Sequence, residues 1–186
     1  MNQTKEKFYE KISFNKDILK NKNILSNKTC NQTILVIGGA GTIGSSYVKQ
    51  ILNYKPSKIT VVDINENGLT ELTRDLRSSN LLDYNPEYIT YPVNLLSDTF
   101  DKIFNSETWQ VVANFSAHKH VRSEKDKISV EALIKNNIYG AIKLLNLCEV
   151  NPPKYFFSVS TAKAAIVTAP VLSIVASPDI QTSVAS

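Results

Sequence analysis

Cysteine is scarce in this sequence, and its scarcity excludes two kinds of architecture. Only Cys30 and Cys148 occur among the 186 residues, and they stand far apart. Neither a disulfide framework nor a Cys-x-x-Cys metal site can be built from that spacing. The sequence therefore predicts no metal site, and a reducing, cytoplasmic location is the default expectation.

Long hydrophobic runs are also missing. No stretch approaches the roughly 20 apolar residues that a membrane-spanning helix needs. The N-terminal segment MNQTKEKFYE lacks the apolar core of a secretion signal. From the sequence we expect no membrane span.

Charge of one sign is not concentrated anywhere along the chain. The 21 lysines and arginines and 17 acidic residues give a formal net charge of only +4. The lysines are scattered rather than gathered with aromatic residues on one face, which is typical of a solvated surface. No nucleic-acid partner is therefore expected. Hydrophobic residues make up 42% of the chain, enough for one ordinary core.

From Thr33 onward, short apolar runs alternate with amphipathic stretches. The runs predict five strands, at 33–38, 58–64, 87–93, 109–116 and 154–160. The stretches between them have helical spacing, at 41–54, 66–79, 97–106 and 129–150. Leu69, Leu72 and Leu76 fall on one face of the second stretch, and Ile43 and Tyr139 are expected on the apolar faces of the first and the last. Strands that are apolar on both faces and separated by helices are typical of a parallel sheet covered on both sides. The predicted fold class is α/β, a Rossmann-like doubly wound sheet with helices on both faces, apparently truncated after the fifth strand.

A glycine motif directly follows the first strand and opens the first helix. Gly38, Gly41 and Gly44 form Gly-x-x-Gly-x-x-Gly in the segment VIGGAGTIG. Such glycines turn the chain, let the backbone approach a pyrophosphate, and let the helix pack closely on the strand. The helix start at Thr42 and Ile43 would present free N–H groups to phosphates. We expect a dinucleotide here; the alternative is a glycine-rich turn in an unrelated α/β domain.

An acidic residue closes the second strand. Asp63 lies 19 residues after Gly44, near the place where a carboxylate accepts hydrogen bonds from the adenosine ribose. No arginine follows it directly, and its charge would repel a 2′-phosphate. The cofactor predicted is therefore NAD, with NADP left open. A solvated turn residue is the alternative role for Asp63.

Four further blocks carry a resemblance to a known family. They are DINENGLTEL, FSAHKHVRSEKD, IKNNIYGAIKLL and FFSVSTAKA, in that order along the chain. With the glycine motif they resemble the extended short-chain dehydrogenase/reductase superfamily, specifically its polysaccharide-biosynthesis group. That group contains the UDP-N-acetylglucosamine 4,6-dehydratases and related epimerases of bacterial surface-glycan pathways. The resemblance covers roughly residues 33–165.

The resemblance implies roles for residues beyond the glycine motif and the ribose carboxylate. Asn94 stands where the family commonly has an Asp facing adenine. Ser116 and Ala117 correspond to residues beside the nicotinamide half of the cofactor. Asn137 matches a helix Asn that organises the site beneath the cofactor.

The same resemblance implies substrate-binding and catalytic residues. Lys119 and His120 match a Lys-His-Val block next to the nucleotide-sugar substrate. Thr161 would hydrogen-bond the reacting oxygen, and Lys163 would be the base at sugar C5. Ala162 replaces the Asp that acts in the family as the acid for water loss. The Tyr-x-x-x-Lys or Met-x-x-x-Lys block that follows in the family is absent.

The sequence thus predicts three segments with different roles. We expect an N-terminal helical extension at 1–32, an NAD(P)-binding Rossmann domain at 33–163 and an atypical apolar tail at 164–186. The function expected is that of a nucleotide-sugar 4,6-dehydratase or epimerase, incomplete for catalysis in this chain. A non-catalytic NAD(H)-binding module and a non-functional truncated remnant remain as alternatives. An exposed sheet edge would favour a homo-oligomer.

Overall fold

The computed structural model describes residues 18–117 and 127–159, in which strands and helices alternate. The elements, in chain order, are α1 (Lys22–Thr29), β1 (Thr33–Ile37), α2 (Thr42–Leu52), β2 (Lys58–Asp63), α3 (Glu66–Ser78), β3 (Glu87–Pro92), α4 (Asp98–Asn105), β4 (Val111–Asn114), α5 (Lys127–Ile134), α6 (Gly140–Val150) and β5 (Tyr155–Ser158). A π-helical turn, Lys135–Tyr139, joins α5 to α6.

The described strands form one parallel sheet in the order β3-β2-β1-β4-β5. β1 lies at its centre and pairs with β2 on one side and with β4 on the other. The chain therefore builds outward from β1 to β3 and then returns to the opposite side of β1. That reversal places a topological switch point at the carboxyl ends of β1 and β4, where α/β sheets bind ligands. The sheet confirms the predicted Rossmann-like α/β class.

Two apolar cores cover the two faces of the sheet. Successive residues of β1 point to opposite faces, so Ile34 and Val36 enter one core while Leu35 and Ile37 enter the other. The first core receives the leucine stripe of α3, and the second receives the aromatic residues of α4 and one face of α6. Cys148 lies in the second core, where burial raises the pKa of its thiol to about 11.

The leucine stripe predicted for α3 is confirmed. Leu69, Leu72 and Leu76 are all buried, with at most 3% of each side chain exposed. Their spacing of three and four residues places them on one side of the helix, which then packs on β2 and β3.

Two predicted helix residues are more exposed than expected, and one strand starts later than predicted. Ile43 and Tyr139, expected on buried helix faces, are 48% and 56% exposed. β4 begins only at Val111. Trp109 lies before it, buried, and donates its indole N–H to the carbonyl of Phe104 at 2.8 Å. The indole is thus held in the second core, ahead of the strand.

Candidate functional site

The carboxyl ends of β1, β2, β3 and β4 open onto one cleft of about 230 Å³. Six of the ten predicted cofactor-binding residues line this cleft: Gly38, Gly41, Asp63, Asn94, Ser116 and Ala117. The sheet brings them together because each follows a strand that ends at the same edge. Residues that were dispersed over 80 positions of sequence thus face a common space.

The first and third glycines of the motif are required by the chain's own packing. Gly38 has φ +74°, and a Cβ there would lie 2.5 Å from the backbone nitrogen of Ser116. A Cβ on Gly44 would lie 2.2 Å from the carbonyl oxygen of Gly38. Any side chain at either position would therefore force the loop, or the start of α2, to move.

The middle glycine has no such requirement. Gly41 has φ −72°, which any residue adopts. A Cβ there would meet only the carbonyl oxygen of Gly38, at an ordinary contact distance of 3.5 Å. Gly41 lies exposed in the cleft wall. The described protein does not need glycine at this position, whereas a ligand lying against the backbone would.

The start of α2 is left without a side-chain cap. Its N-cap residue is Gly41, which has no side chain to accept a hydrogen bond. By contrast, α3 is capped by Asn65 and α4 by Ser97. The first N–H groups of a helix have no intrahelical partner and carry a partial positive charge. Thr42 and Ile43 supply two of these groups, so this helix end can bind an anion.

Asp63 joins the end of β2 to the glycine loop. Its Oδ2 accepts a hydrogen bond from the N–H of Ala40 at 2.9 Å, and its Oδ1 accepts one from the N–H of Asn65 at 3.0 Å. Each carboxylate oxygen can accept a second bond. Asp63 can therefore hold the loop in shape and still accept hydroxyl groups of a ligand.

Asn94 is held by the turn that follows β3. Its Oδ1 accepts a hydrogen bond from the N–H of Leu96 at 2.8 Å. Its carbonyl oxygen accepts from the N–H of Ser97 at 3.0 Å and from the hydroxyl of Ser97 at 2.7 Å. The Oδ1 keeps a second lone pair and the Nδ2 carries two N–H groups, so this side chain can offer a ligand both an acceptor and a donor.

A buried amide organises the β4 side of the cleft. Asn114 is 6% exposed. Its Oδ1 accepts hydrogen bonds from the N–H of Ser116 at 3.0 Å and from the Ser116 hydroxyl at 2.6 Å. Its Nδ2 donates to the hydroxyl of Ser158 at 3.2 Å. Asn114 therefore fixes the side chain of Ser116 and links it to the end of β5.

An aromatic residue forms part of the same wall. Phe115 lines the cleft and packs against Tyr47 of α2, with ring centroids 5.0 Å apart. Burial raises the pKa of Tyr47 to about 12, so its hydroxyl stays protonated at neutral pH. Tyr47 thus supports the wall by packing.

An asparagine of the π-helical turn lines the cleft. Asn136, rather than the predicted Asn137, is among the lining residues. The Nδ2 of Asn136 donates to the Oδ1 of Asn137 at 3.3 Å. π turns insert a residue into a helix and are frequent at functional sites. The role of Asn137 stays a prediction.

Several sequence-predicted site residues lie outside the described residues. They are the substrate-binding pair Lys119 and His120, the catalytic pair Thr161 and Lys163, and Ala162. Within residues 18–117 and 127–159, no group of His, Cys, Asp and Glu side chains could hold a metal ion. No helix in that part of the chain has both the length and the apolar character to cross a membrane.

Sequence reasoning missed Asn114, Phe115 and Asn136. The signal for Asn114 is visible in retrospect: it is the polar residue that ends the otherwise apolar strand Val111–Asn114. Asn136 had no signal, since a π turn cannot be distinguished from an α-helix by apolar spacing.

The fold and the cleft define a Rossmann-like domain with a cleft at the carboxyl edge of the sheet. Residues 34–171 match the family described as polysaccharide biosynthesis protein. This match spans well over half of the chain, and the chain belongs to that family. The match confirms the resemblance seen in the sequence motifs.

Three similar proteins illustrate the relationship. An uncharacterized membrane protein of Methanocaldococcus jannaschii is 32% identical over 72% of this chain and 37% of its own length. A UDP-N-acetylglucosamine 4,6-dehydratase (inverting) of Campylobacter jejuni is 31% identical, with the same two coverages of 72% and 37%. Among solved structures, UDP-glucose-4-epimerase of Stenotrophomonas maltophila, with bound NAD and formylated UDP-arabinopyranose, superposes with a TM-score of 0.57. It is 20% identical and covers 71% of this chain and 38% of its own.

The chain spans well under half the length of the curated relatives it matches, 37% for both named above. The similarity therefore concerns the part of those proteins that corresponds to the sheet and its cleft.

Proposed function

We propose that this chain binds NAD(H) in the cleft and is the cofactor-binding part of a nucleotide-sugar 4,6-dehydratase or epimerase of surface-polysaccharide synthesis. The observation that carries this proposal is the glycine at position 41. It lines the cleft beside an uncapped helix end, and nothing in the described protein requires it to be glycine. Close approach of a pyrophosphate to that backbone explains both features.

The remaining cofactor contacts follow from the order of the strands. The pyrophosphate would bind at the N-terminus of α2, and Asp63, on the neighbouring strand, would accept the adenosine ribose hydroxyls. Ser116 and Ala117, on the opposite side of β1, would lie beside the nicotinamide half. The carboxylate of Asp63 favours NAD over NADP, because a 2′-phosphate would place a second negative charge against it.

The nucleotide-sugar side of the proposal rests on the family and on residues outside the described ranges. A bound nicotinamide would supply hydride acceptance and return. Lys119 and His120 would contact the nucleotide sugar, Thr161 would hydrogen-bond its reacting oxygen, and Lys163 would take a proton from its C5. Ala162 cannot donate a proton to a leaving hydroxyl, so we infer that dehydration by this chain is impaired.

A binding titration tests the cofactor proposal. NADH is added to the purified chain and the nicotinamide fluorescence is followed, with NADPH measured in parallel. We expect saturable NADH binding that Asp63→Asn weakens about tenfold or more, since a charge-assisted acceptor is lost. Asp83→Asn is the matched control, because Asp83 is exposed and does not line the cleft. Equal NADH affinity in the wild type and in Asp63→Asn would contradict the assigned ribose contact.

A product assay tests the catalytic proposal. The chain is incubated with UDP-N-acetylglucosamine and NAD⁺, and loss of water from the sugar is followed by mass spectrometry. We expect no dehydration by the wild type, in which Ala162 replaces the acid and the Tyr-x-x-x-Lys or Met-x-x-x-Lys block is absent. Efficient dehydration by the wild type would show that position 162 does not carry the acid. Cofactor binding, which we assign to residues 33–163, is tested separately by the titration above.

A further inference from the structure

Along the cleft, the ends of β1, β2 and β3 give three neighbouring positions at which parts of a ligand can bind. The glycine loop follows β1, Asp63 ends β2, and Asn94 follows β3, and these strands are neighbours in the sheet. If the phosphates lie at β1 and the ribose at β2, the purine base lies at β3. Ile64, which is 65% exposed and lines the cleft, offers an apolar surface for the face of the base.

The polar group that reaches the edge of the base is then Asn94, and its orientation is determined by the chain. The N–H of Leu96 donates to Oδ1 at 2.8 Å, and an amide Nδ2 could not accept that bond. The Nδ2 group is therefore the donor end of the side chain, and Oδ1 keeps one lone pair for a further bond. Asn65, the other amide at this end of the cleft, uses its Oδ1 to cap α3 through the N–H of Gly68 at 3.0 Å.

We propose that Asn94 offers the purine base both a donor and an acceptor, so that the base position accepts a 6-oxopurine as readily as adenine. The inference rests on the proposed binding of NAD(H) and adds the base specificity of that same site. Adenine offers ring-nitrogen acceptors to an N–H group, and hypoxanthine offers N7 and its O6 oxygen. A donor at position 94 pairs with either base.

A carboxylate at position 94 would behave differently. It can accept from the 6-amino group of adenine, but at the same position of hypoxanthine it faces the O6 oxygen, which it repels. Asn94→Asp is also a gentle change for the fold. An aspartate oxygen can still accept from the N–H of Leu96, and aspartate is as favourable as asparagine in this kind of turn. The variant therefore changes the charge and the donor while it keeps the local turn.

The experiment compares two reduced dinucleotides that differ only in the base, NADH and its deaminated analogue, reduced nicotinamide hypoxanthine dinucleotide. Both are titrated by nicotinamide fluorescence into the wild type, Asn94→Asp and Asn146→Asp. Asn146→Asp is the control for added charge, since Asn146 is exposed on α6 and does not line the cleft. Circular dichroism and the unfolding midpoint check that each variant is folded.

We expect the wild type and Asn146→Asp to bind the two dinucleotides within about threefold of each other. Asn94→Asp should favour NADH by about tenfold, which corresponds to about 1.4 kcal/mol. A wild type that binds NADH and rejects the hypoxanthine analogue by tenfold overturns the inference alone. So does an unchanged preference in Asn94→Asp. A wild type that binds neither dinucleotide overturns the proposed function, and this inference with it.

Discussion

Replacing Gly41 and Gly44 by alanine in turn separates what the fold needs from what the ligand needs. The two residues belong to the same motif and lie three positions apart. The contacts of an added Cβ are nevertheless very different. At Gly44 it would lie 2.2 Å from the carbonyl oxygen of Gly38 and 2.8 Å from the Cα of Gly39, whereas at Gly41 it would meet only that carbonyl, at 3.5 Å.

The expected cost to stability follows from these contacts. Gly44 lies within α2, where alanine is intrinsically better than glycine by up to about 1 kcal/mol. Two backbone contacts below 3 Å outweigh that gain, because overpacking that moves the backbone costs about 1–3 kcal/mol or more. Gly41 occupies the N-cap, where alanine is somewhat less favourable than glycine. We expect Gly41→Ala to cost about 1 kcal/mol or less.

The assay measures the unfolding midpoint of each variant with and without NADH. A ligand that binds only the folded state raises the midpoint as its concentration increases. We expect Gly41→Ala to unfold within about 4 °C of the wild type but to show little or no shift with NADH. Gly44→Ala should unfold at a clearly lower temperature without any ligand.

Two results would refute the reasoning. If Gly41→Ala keeps the full NADH shift, no ligand atom approaches this backbone position. If Gly44→Ala is as stable as the wild type, the close packing of the loop on α2 does not limit stability.

Three other predictions concern the supports of the cleft and the core. Asn114→Ala should lower the free energy of unfolding by about 1–3 kcal/mol in a urea titration, because Ser116 loses the acceptor of two hydrogen bonds. The same variant should bind NADH more weakly. An unchanged NADH affinity would contradict the link between Asn114 and the cleft. Phe100→Ala should cost about 3–5 kcal/mol in the same titration, since Phe100 is 0% exposed, while Phe157→Ala, at a residue 51% exposed, should cost about 1 kcal/mol or less. Burial raises the pKa of Cys148 from 9.0 to about 11, so the thiol loses its proton at a lower pH in the unfolded chain than in the folded one. The free energy of unfolding should therefore fall between about pH 9 and pH 11. If Cys148→Ala shows the same fall over this range, another group causes it.

The sequence predicted the strands and the leucine stripe of α3 because burial imposes a strict pattern on them. A strand covered on both faces must be apolar throughout, and α3 must place Leu69, Leu72 and Leu76 on one side. The order of the strands in space needed the structure, since no local pattern encodes which strands pair.

The candidate site was predictable where a residue type with a characteristic role follows the end of a strand. A glycine motif and a carboxylate at such positions are typical of dinucleotide sites, so Gly38 and Asp63 were predicted. Asn114 and Asn136 were missed for physical reasons. Asn114 acts through hydrogen bonds to Ser116 and to Ser158, which lies 44 residues away in the sequence. Asn136 lies in the π turn, which apolar spacing does not reveal.

The alternation of β1 between two cores has a consequence for how the chain finds its alignment. Ile34 and Val36 enter one core and Leu35 and Ile37 enter the other, so the two sides of this strand are equally apolar. A shift of one residue would exchange the two sides with almost no loss of apolar character. Gly38 opposes the shift that would bring Ile37 to its place, because a Cβ there would clash with the backbone of Ser116 and the φ of +74° disfavours a side chain. The residue that shapes the glycine loop therefore also helps to fix the register of the central strand.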